Sequence, residues 1–205
     1  MDTEDLTRFL NDQLPNGCVG AVRPICAGDE VLLRPAEASG LEGAVVGVRC
    51  ASGAGRNLAR SLCSRIGVEI AEIPRSPHRF PVWPSDVTGS IAHDADFAAA
   101  VVAPTRRIKG LGIDIEPAEP LPQIVHEGLG RADELASFED LPFGHKALFS
   151  IKEAVFKAVY PSDLIFLDFR DIVVVRDLNT ATTANNRVLE WRVVTSPRVL
   201  AIAWW

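Results

Sequence analysis

Apolar positions recur along this chain in helical and strand-like rhythms. From Arg56 to Ile66, the residues Ala59, Leu62, Cys63 and Ile66 fall at i, i+3, i+4 and i+7, the stripe of a helix buried on one side, and Gly67 is placed to end it. Arg56 and Arg60 share another face of that helix. A wider stripe, made of Ala147, Leu148, Ile151, Ala154, Val155 and Ala158, predicts a second helix from about His145 to Val159, with Pro161 as its stop. Elsewhere the apolar runs are short. Val31 to Leu33 and Ala44 to Val46 read as strands joined by turns within the first fifty residues. Phe97 to Ala103 and Leu111 to Ile115, separated by a polar turn at Pro104 to Gly110, read as a hairpin. Strand-like runs return at Ile165 to Val175, Val188 to Val194 and Val199 to Trp205. Pro74, Pro77, Pro81, Pro84 and Gly89 break up residues 74–90 and predict a shaped loop. Residues 116–142 are irregular, with one short helix near Arg131 to Phe138.

Composition narrows the class. A chain of 205 residues with 47% hydrophobic content suits one large domain or two small ones sharing a core. No apolar run reaches the roughly 18 residues of a membrane span, and the N-terminus opens acidic, which predicts a soluble cytoplasmic protein. Cys18, Cys26, Cys50 and Cys63 are scattered without a C-x-x-C pair, so they are expected as reduced thiols rather than zinc ligands or disulfides. A net charge of −6 argues against nucleic acid as the main partner.

The acidic balance directs attention to where the carboxylates gather. In Gly112-Ile113-Asp114-Ile115-Glu116, strand alternation points Asp114 and Glu116 to one side and the isoleucines to the other. Such a pair is either a platform for a divalent cation or the solvated end of a strand. Lys146, Ser150, Glu153 and Lys157 follow at i, i+4, i+7 and i+11 and form a polar stripe on the second helix, expected opposite its buried face. Taken alone these are surface ion pairs. Taken with the strand, three carboxylates and an ammonium could surround a small cation and a diphosphate, and Mg²⁺, which prefers hard oxygen ligands, suits that set. The His93-Asp94 pair is also similar to metal-dependent phosphohydrolases of the HD type, but only His78, His126 and His145 remain as further ligands, too few at helical spacing.

Three segments together resemble the signature motifs of 4′-phosphopantetheinyl transferases: Gly89-Ser90-Ile91-Ala92-His93-Asp94, Gly112 to Glu116, and Phe149-Ser150-Ile151-Lys152-Glu153-Ala154-Val155-Phe156-Lys157-Ala158. The lead-in Arg79-Phe80-Pro81-Val82-Trp83-Pro84 is similar to that of the enterobactin-synthase and surfactin-synthetase-activating subgroup. The resemblance covers about residues 45 to 160 and, more faintly, the last strand. It implies an α+β fold of two similar halves related by a pseudo-twofold axis, each a small, mostly antiparallel sheet with helices, with the active site between them. The halves would be residues 1–110, carrying the coenzyme A contacts, and 111–205, carrying the metal and catalytic residues. The implied reaction moves the phosphopantetheine arm of coenzyme A to a serine of an acyl or peptidyl carrier protein and releases 3′,5′-ADP.

Carried over residue by residue, the resemblance makes Asp114, Glu116 and Glu153 ligands of Mg²⁺, with Mn²⁺ as a substitute. Lys157 and Lys152 would supply charge to the diphosphate, and Glu153 or a metal-bound water would be the general base. Arg49, Arg56, Arg75, His78, Arg79, Ser90 and His93 would hold coenzyme A. Arg60 reads as a solvated surface charge. A monomer, with no membrane span, working in secondary metabolism such as siderophore assembly, completes the expectation. Arg131 and Phe143 are candidates for a rim that meets the carrier.

The chain departs from the family pattern where Ala92 replaces a hydroxyl residue, where Asp94 replaces Cys or Ser, and where Cys50-Ala51-Ser52-Gly53-Ala54-Gly55 replaces charged residues. These changes motivate one alternative, a weakened coenzyme A- or carrier-binding homologue without turnover; another, an unrelated magnesium-dependent phosphohydrolase, would have to explain the ordered motif match as chance.

Overall fold

A computed structural model describes residues 3–205. The chain forms two compact units, one ending at Lys109 and the other running from Gly110 to Trp205. Each has an antiparallel sheet carrying a helix of 20 residues, so the fold is α+β.

The first unit begins with α1 (Thr3–Gln13), where sequence pattern predicted only strands and turns. Its apolar positions are few, but Leu6 and Leu10 are spaced to bury one face, and both do. β1 (Val19–Pro24) follows, and then Asp29–Leu32 makes a 3-10 turn instead of a strand at Val31. After the short α2 (Pro35–Ala38) comes α3 (Val46–Arg65), ten residues longer at its start than the periodic stripe suggested. The extension is the segment rich in small residues, and its packing explains that composition. A Cβ on Gly53 would sit 2.0 Å from the carbonyl oxygen of Asp29, and one on Gly55 would sit 2.5 Å from Ile91. Charged side chains cannot occupy a helix face pressed this closely against its neighbours. β2 (Val87–His93) and β3 (Phe97–Pro104) complete a three-stranded sheet in the order β1-β3-β2. Gly89 therefore lies inside a strand, not in the loop before it.

Arg60 is not a solvated charge. Its side chain is 10% exposed and pairs with the fully buried Glu37, which also accepts from the Ile73 amide at 2.8 Å. The Arg60 guanidinium donates onward to the Leu32 carbonyl at 2.9 Å.

In the second unit, β4 (Leu111–Pro117) is the edge of a five-stranded sheet ordered β4-β8-β7-β6-β5. The predicted hairpin between residues 97–103 and 111–115 does not form. Both edges of β3 are taken by β1 and β2, and β4 pairs with β8 (Arg198–Trp204), Ile113 facing Ile202 across the ladder. Between β4 and the long helix lie α4 (Gln123–His126) and α5 (Ala132–Ala136). Then α6 (Gly144–Asp163) crosses the sheet of β5 (Ile172–Val175), β6 (Thr180–Thr183), β7 (Val188–Val194) and β8. Pro161 lies inside the final turn of α6 and does not stop it; the helix ends at Leu164, whose backbone is left-handed and whose amide donates to the Tyr160 carbonyl. Near a C-terminus, proline loses a single hydrogen bond, so the last turn tolerates it.

The core of this unit gathers Leu148, Ile151 and Val155 of α6 against Trp191, Val199 and Ala201 of the sheet. Part of the polar stripe of α6 is buried too, and so is Lys152 on another face of the helix. Lys146, Ser150 and Lys152 are each at most 4% exposed, so α6 is covered nearly all round, and its polar residues must find partners inside the protein.

Candidate active site

In β4, Gly112, Asp114 and Glu116 share one face, and α6 lies directly on it. A Cβ at Gly112 would be 1.9 Å from the carbonyl oxygen of Ala154. Glycine is the residue that permits this approach, and strand parity with the two acids was the signal that could have revealed it. The close contact lets the helix stripe reach the strand acids. Lys157 Nζ donates to Asp114 Oδ1 at 2.6 Å, and Lys146 Nζ lies 3.5 Å from Glu116 Oε2. Lys146 is thus a second ammonium of the cluster, a place its i, i+4, i+7 spacing with Ser150 and Glu153 already hinted at.

The charges in this cluster act on one another. Burial raises the Glu153 pKa, and Asp114 and Glu116 push it further up against the opposing effect of Lys157. Glu116 is raised by burial and by Asp114, with Lys146 and Lys157 opposing. Burial alone would lower Lys157, but Asp114, Glu153 and Glu116 outweigh it and hold the ammonium above its usual range. Three carboxylates repel one another here and two lysines answer only part of that charge. Asp114 Oδ2 is buried without a hydrogen-bond partner.

Among the described residues, no three acidic, imidazole or thiol groups lie close enough together to make a ready ligand set, and the Lys157 ammonium sits against Asp114. Even so, the donors fit a small hard cation. Magnesium is commonly held by one or two carboxylates, the rest of its shell being phosphate oxygens and water, and a buried carboxylate oxygen without a donor is a position such an ion can satisfy.

Lys152 is not brought into this cluster. Fully buried on another face of α6, it donates to Glu134 and to the Phe169 carbonyl, each at 2.9 Å, while Glu134 also accepts from the Val174 amide at 2.7 Å. The Lys152–Glu134 pair ties α6 and α5 to the start of the β5 edge. Lys152→Ala leaves a buried carboxylate unpaired and is expected to cost about 3–5 kcal/mol, read as a lower urea midpoint. Beside it, Phe156, Phe166, Leu167 and Phe169 line a small apolar pocket of about 130 Å³ that reaches Glu153.

The first unit contains a cleft of about 470 Å³ that gathers Arg56, Arg75, Arg79 and His93, with Ser52 and Ile91. Three guanidiniums and an imidazole converge without a carboxylate in the lining, which suits an anion. Arg56 is held rigidly: Nε donates 2.9 Å to the Ile73 carbonyl and Nη1 bonds Ser52. Burial lowers its pKa, and Arg75 and Arg60 add to the effect against the pull of Glu37. Arg75 donates through Nε to the Arg79 carbonyl at 3.1 Å, and burial with the nearby Arg79 charge lowers its pKa as well.

The remaining sequence candidates lie elsewhere. Arg49 sits half-buried at the start of α3, where its charge acts on Glu30, and it is outside the cleft lining. His78 is exposed and stacks parallel to Phe80 at 6.4 Å. Ser90 is buried on the face of β2 opposite Ile91 and His93. Ala92 shares that opposite face and is 4% exposed, so a hydroxyl added there points away from the cleft. Asp94 accepts from the Asp96 and Phe97 amides, both at 2.7 Å, and so builds the β2–β3 turn. Arg131 forms an exposed pair with Asp133, and Phe143 is the left-handed residue that opens α6.

The chain thus carries a cationic cleft in its first α+β unit and a buried carboxylate–lysine cluster between a strand and a helix in its second. Two family models match the chain: the 4′-phosphopantetheinyl transferase N-terminal domain at residues 36–103, and the 4′-phosphopantetheinyl transferase superfamily at residues 110–203. The chain belongs to the 4′-phosphopantetheinyl transferase superfamily. It is 32% identical over 120 residues to the 4′-phosphopantetheinyl transferase PptT of Mycobacterium tuberculosis, covering 57% of this chain and 53% of that protein. It is 34% identical over 133 residues to Svp of Streptomyces mobaraensis, covering 62% and 54%, and 31% identical over 119 residues to Npt of Nocardia iowensis, covering 57% and 54%. The chain thus spans about half the length of the curated relatives it matches.

Proposed function

We propose that this protein transfers the 4′-phosphopantetheine arm of coenzyme A to a serine of an acyl or peptidyl carrier protein, with 3′,5′-ADP as the second product. The observation that carries the reading is the Asp114–Lys157–Glu153–Glu116 cluster, which has more carboxylate than ammonium and fits a divalent cation. Family membership and the three transferase relatives support the choice of reaction.

In this reading Asp114, Glu116 and Glu153 hold Mg²⁺, directly or through water. When bound, the ion draws charge from the diphosphate and eases departure of the nucleotide phosphate. Lys157, already held by Asp114, neutralises a further phosphate oxygen. Glu153, with its pKa raised by burial, is suited to take the serine proton as the hydroxyl oxygen attacks the phosphorus beside the pantetheine arm. The apolar pocket next to Glu153 suits the aliphatic part of that arm. In the first unit, Arg56, Arg75, Arg79 and His93 take the phosphates of the nucleotide end.

Incubation with coenzyme A, Mg²⁺ and an apo carrier protein tests the proposal by mass. A gain of one phosphopantetheine on the carrier supports it. An unmodified carrier with intact coenzyme A points to a binding homologue, and cleaved coenzyme A without modification points to a phosphohydrolase. Arg79 gives a clean test of the cleft, because Arg56 and Arg75 also hold the backbone. Arg79→Ala is expected to raise KM for coenzyme A about tenfold with kcat little changed, as expected when one charged hydrogen bond to a bound phosphate is removed. An unchanged KM removes Arg79 from the substrate contacts.

A further inference from the structure

Ser150 is fully buried, and its hydroxyl has no hydrogen-bond partner. A serine inside a helix ordinarily returns its hydroxyl to the carbonyl four residues back, but here the Lys146 carbonyl does not receive it. At about 100° per residue, Lys146, Ser150, Glu153 and Lys157 lie within about 60° of one another on α6. Lys146 and Lys157, on either side of Ser150 along the helix, both reach β4: Lys146 meets Glu116 at 3.5 Å and Lys157 meets Asp114 at 2.6 Å. Ser150 is therefore clamped between two strand–helix contacts and faces the acidic side of β4. On the strand side of that contact, Asp114 Oδ2 is likewise buried without a hydrogen-bond partner. A buried donor on the helix and a buried acceptor on the strand thus belong to the same strand–helix contact, neither with a partner of its own, and a carboxylate oxygen with two lone pairs can accept from a hydroxyl and still ligate a cation.

We propose that Ser150 is a positioning residue for the cation site: its hydroxyl reaches Asp114 Oδ2 through one enclosed water and fixes the plane of that carboxylate. Lys157 restrains Oδ1 and Ser150 restrains Oδ2, so Asp114 presents its remaining lone pairs in one orientation. Ligating carboxylates are commonly held in this way by hydrogen bonds behind the metal, and loss of such a bond weakens metal affinity about 10- to 100-fold. The inference rests on the reading of Asp114 as a cation ligand.

Mn²⁺ binding to the purified full chain, followed by the free-ion electron paramagnetic resonance signal, separates the two ideas. Wild type is expected to bind one Mn²⁺ saturably, and Asp114→Ala to lose that binding; equal binding by both sinks the cation reading itself. With that reading upheld, Ser150→Ala and Ser150→Cys are each expected to weaken Mn²⁺ binding about tenfold. Cysteine keeps the volume of the side chain but is a poor donor, so it reports on the hydrogen bond even where alanine disturbs the packing. The transfer rate of both variants should recover as Mg²⁺ is raised, which a purely structural defect does not do. Wild-type Mn²⁺ affinity in Ser150→Cys, or a rate loss that excess Mg²⁺ leaves untouched, overturns the assignment.

Discussion

Asp114→Ala is expected to abolish carrier labelling while the chain stays folded. Asp114 is only 5% exposed, yet no protein group donates directly to its Oδ2, so the wild-type fold already bears much of the cost of burying it. Alanine removes that cost. It also frees Lys157, but the lysine side chain is 29% exposed and can turn its ammonium to water. The melting temperature should therefore move by a few degrees at most. Transfer should fall by about 10²–10³-fold or more, the scale on which a lost electrostatic contact at a reacting centre is felt. Rate and thermal melt measured on the same preparation decide the matter, and near-wild-type transfer would remove Asp114 from the chemistry.

Gly112→Ala should act on both quantities at once. The added methyl would lie 1.9 Å from the Ala154 carbonyl oxygen and 2.9 Å from the Ala158 amide nitrogen, both helix backbone that cannot rotate aside. The helix must lift from β4, and the contacts of Lys157 with Asp114 and of Lys146 with Glu116 lengthen together. Overpacking of this kind costs about 1–3 kcal/mol or more, a drop of about 2–12 °C in Tm for a chain of this size. Transfer at a temperature well below the melt should fall further than the stability loss alone accounts for. Gly47→Ala is the matched control: it lies in α3 with open space around it, and alanine there should be neutral or add up to about 1 kcal/mol. If Gly112→Ala behaves like Gly47→Ala, the intimate β4–α6 packing described above is wrong.

The sequence alone, through periodicity and spacing, was enough to mark α6, the apolar half of α3 and the strand bearing Asp114 and Glu116. These are local properties: alternation places two acids on one side of a strand, and 3.6-residue spacing places Lys146, Glu153 and Lys157 on one stripe. It also contained the motifs by which the family was legible, because they are contiguous along the chain. Strand pairing was not legible. The apolar runs at 97–103 and 111–115 look like a hairpin, and only the competition of β1 and β2 for β3, and of β8 for β4, decides otherwise. The small residues at 50–55 read as lost arginines until Asp29 and Ile91 are seen pressed against Gly53 and Gly55.

Lys152 and Lys157 show the same division within one motif. Five residues apart on a helix, they differ by about 140° in direction, so they cannot serve the same partner, and although spacing puts Lys157 on the Glu153 stripe, it does not name the distant acid that either lysine meets. Tertiary packing assigns Lys157 to Asp114 and Lys152 to Glu134. Residue types and their spacing are written in the chain; the identity of the partner across an interface depends on which distant segment folds against it, and that is settled only when the sheet and helix meet.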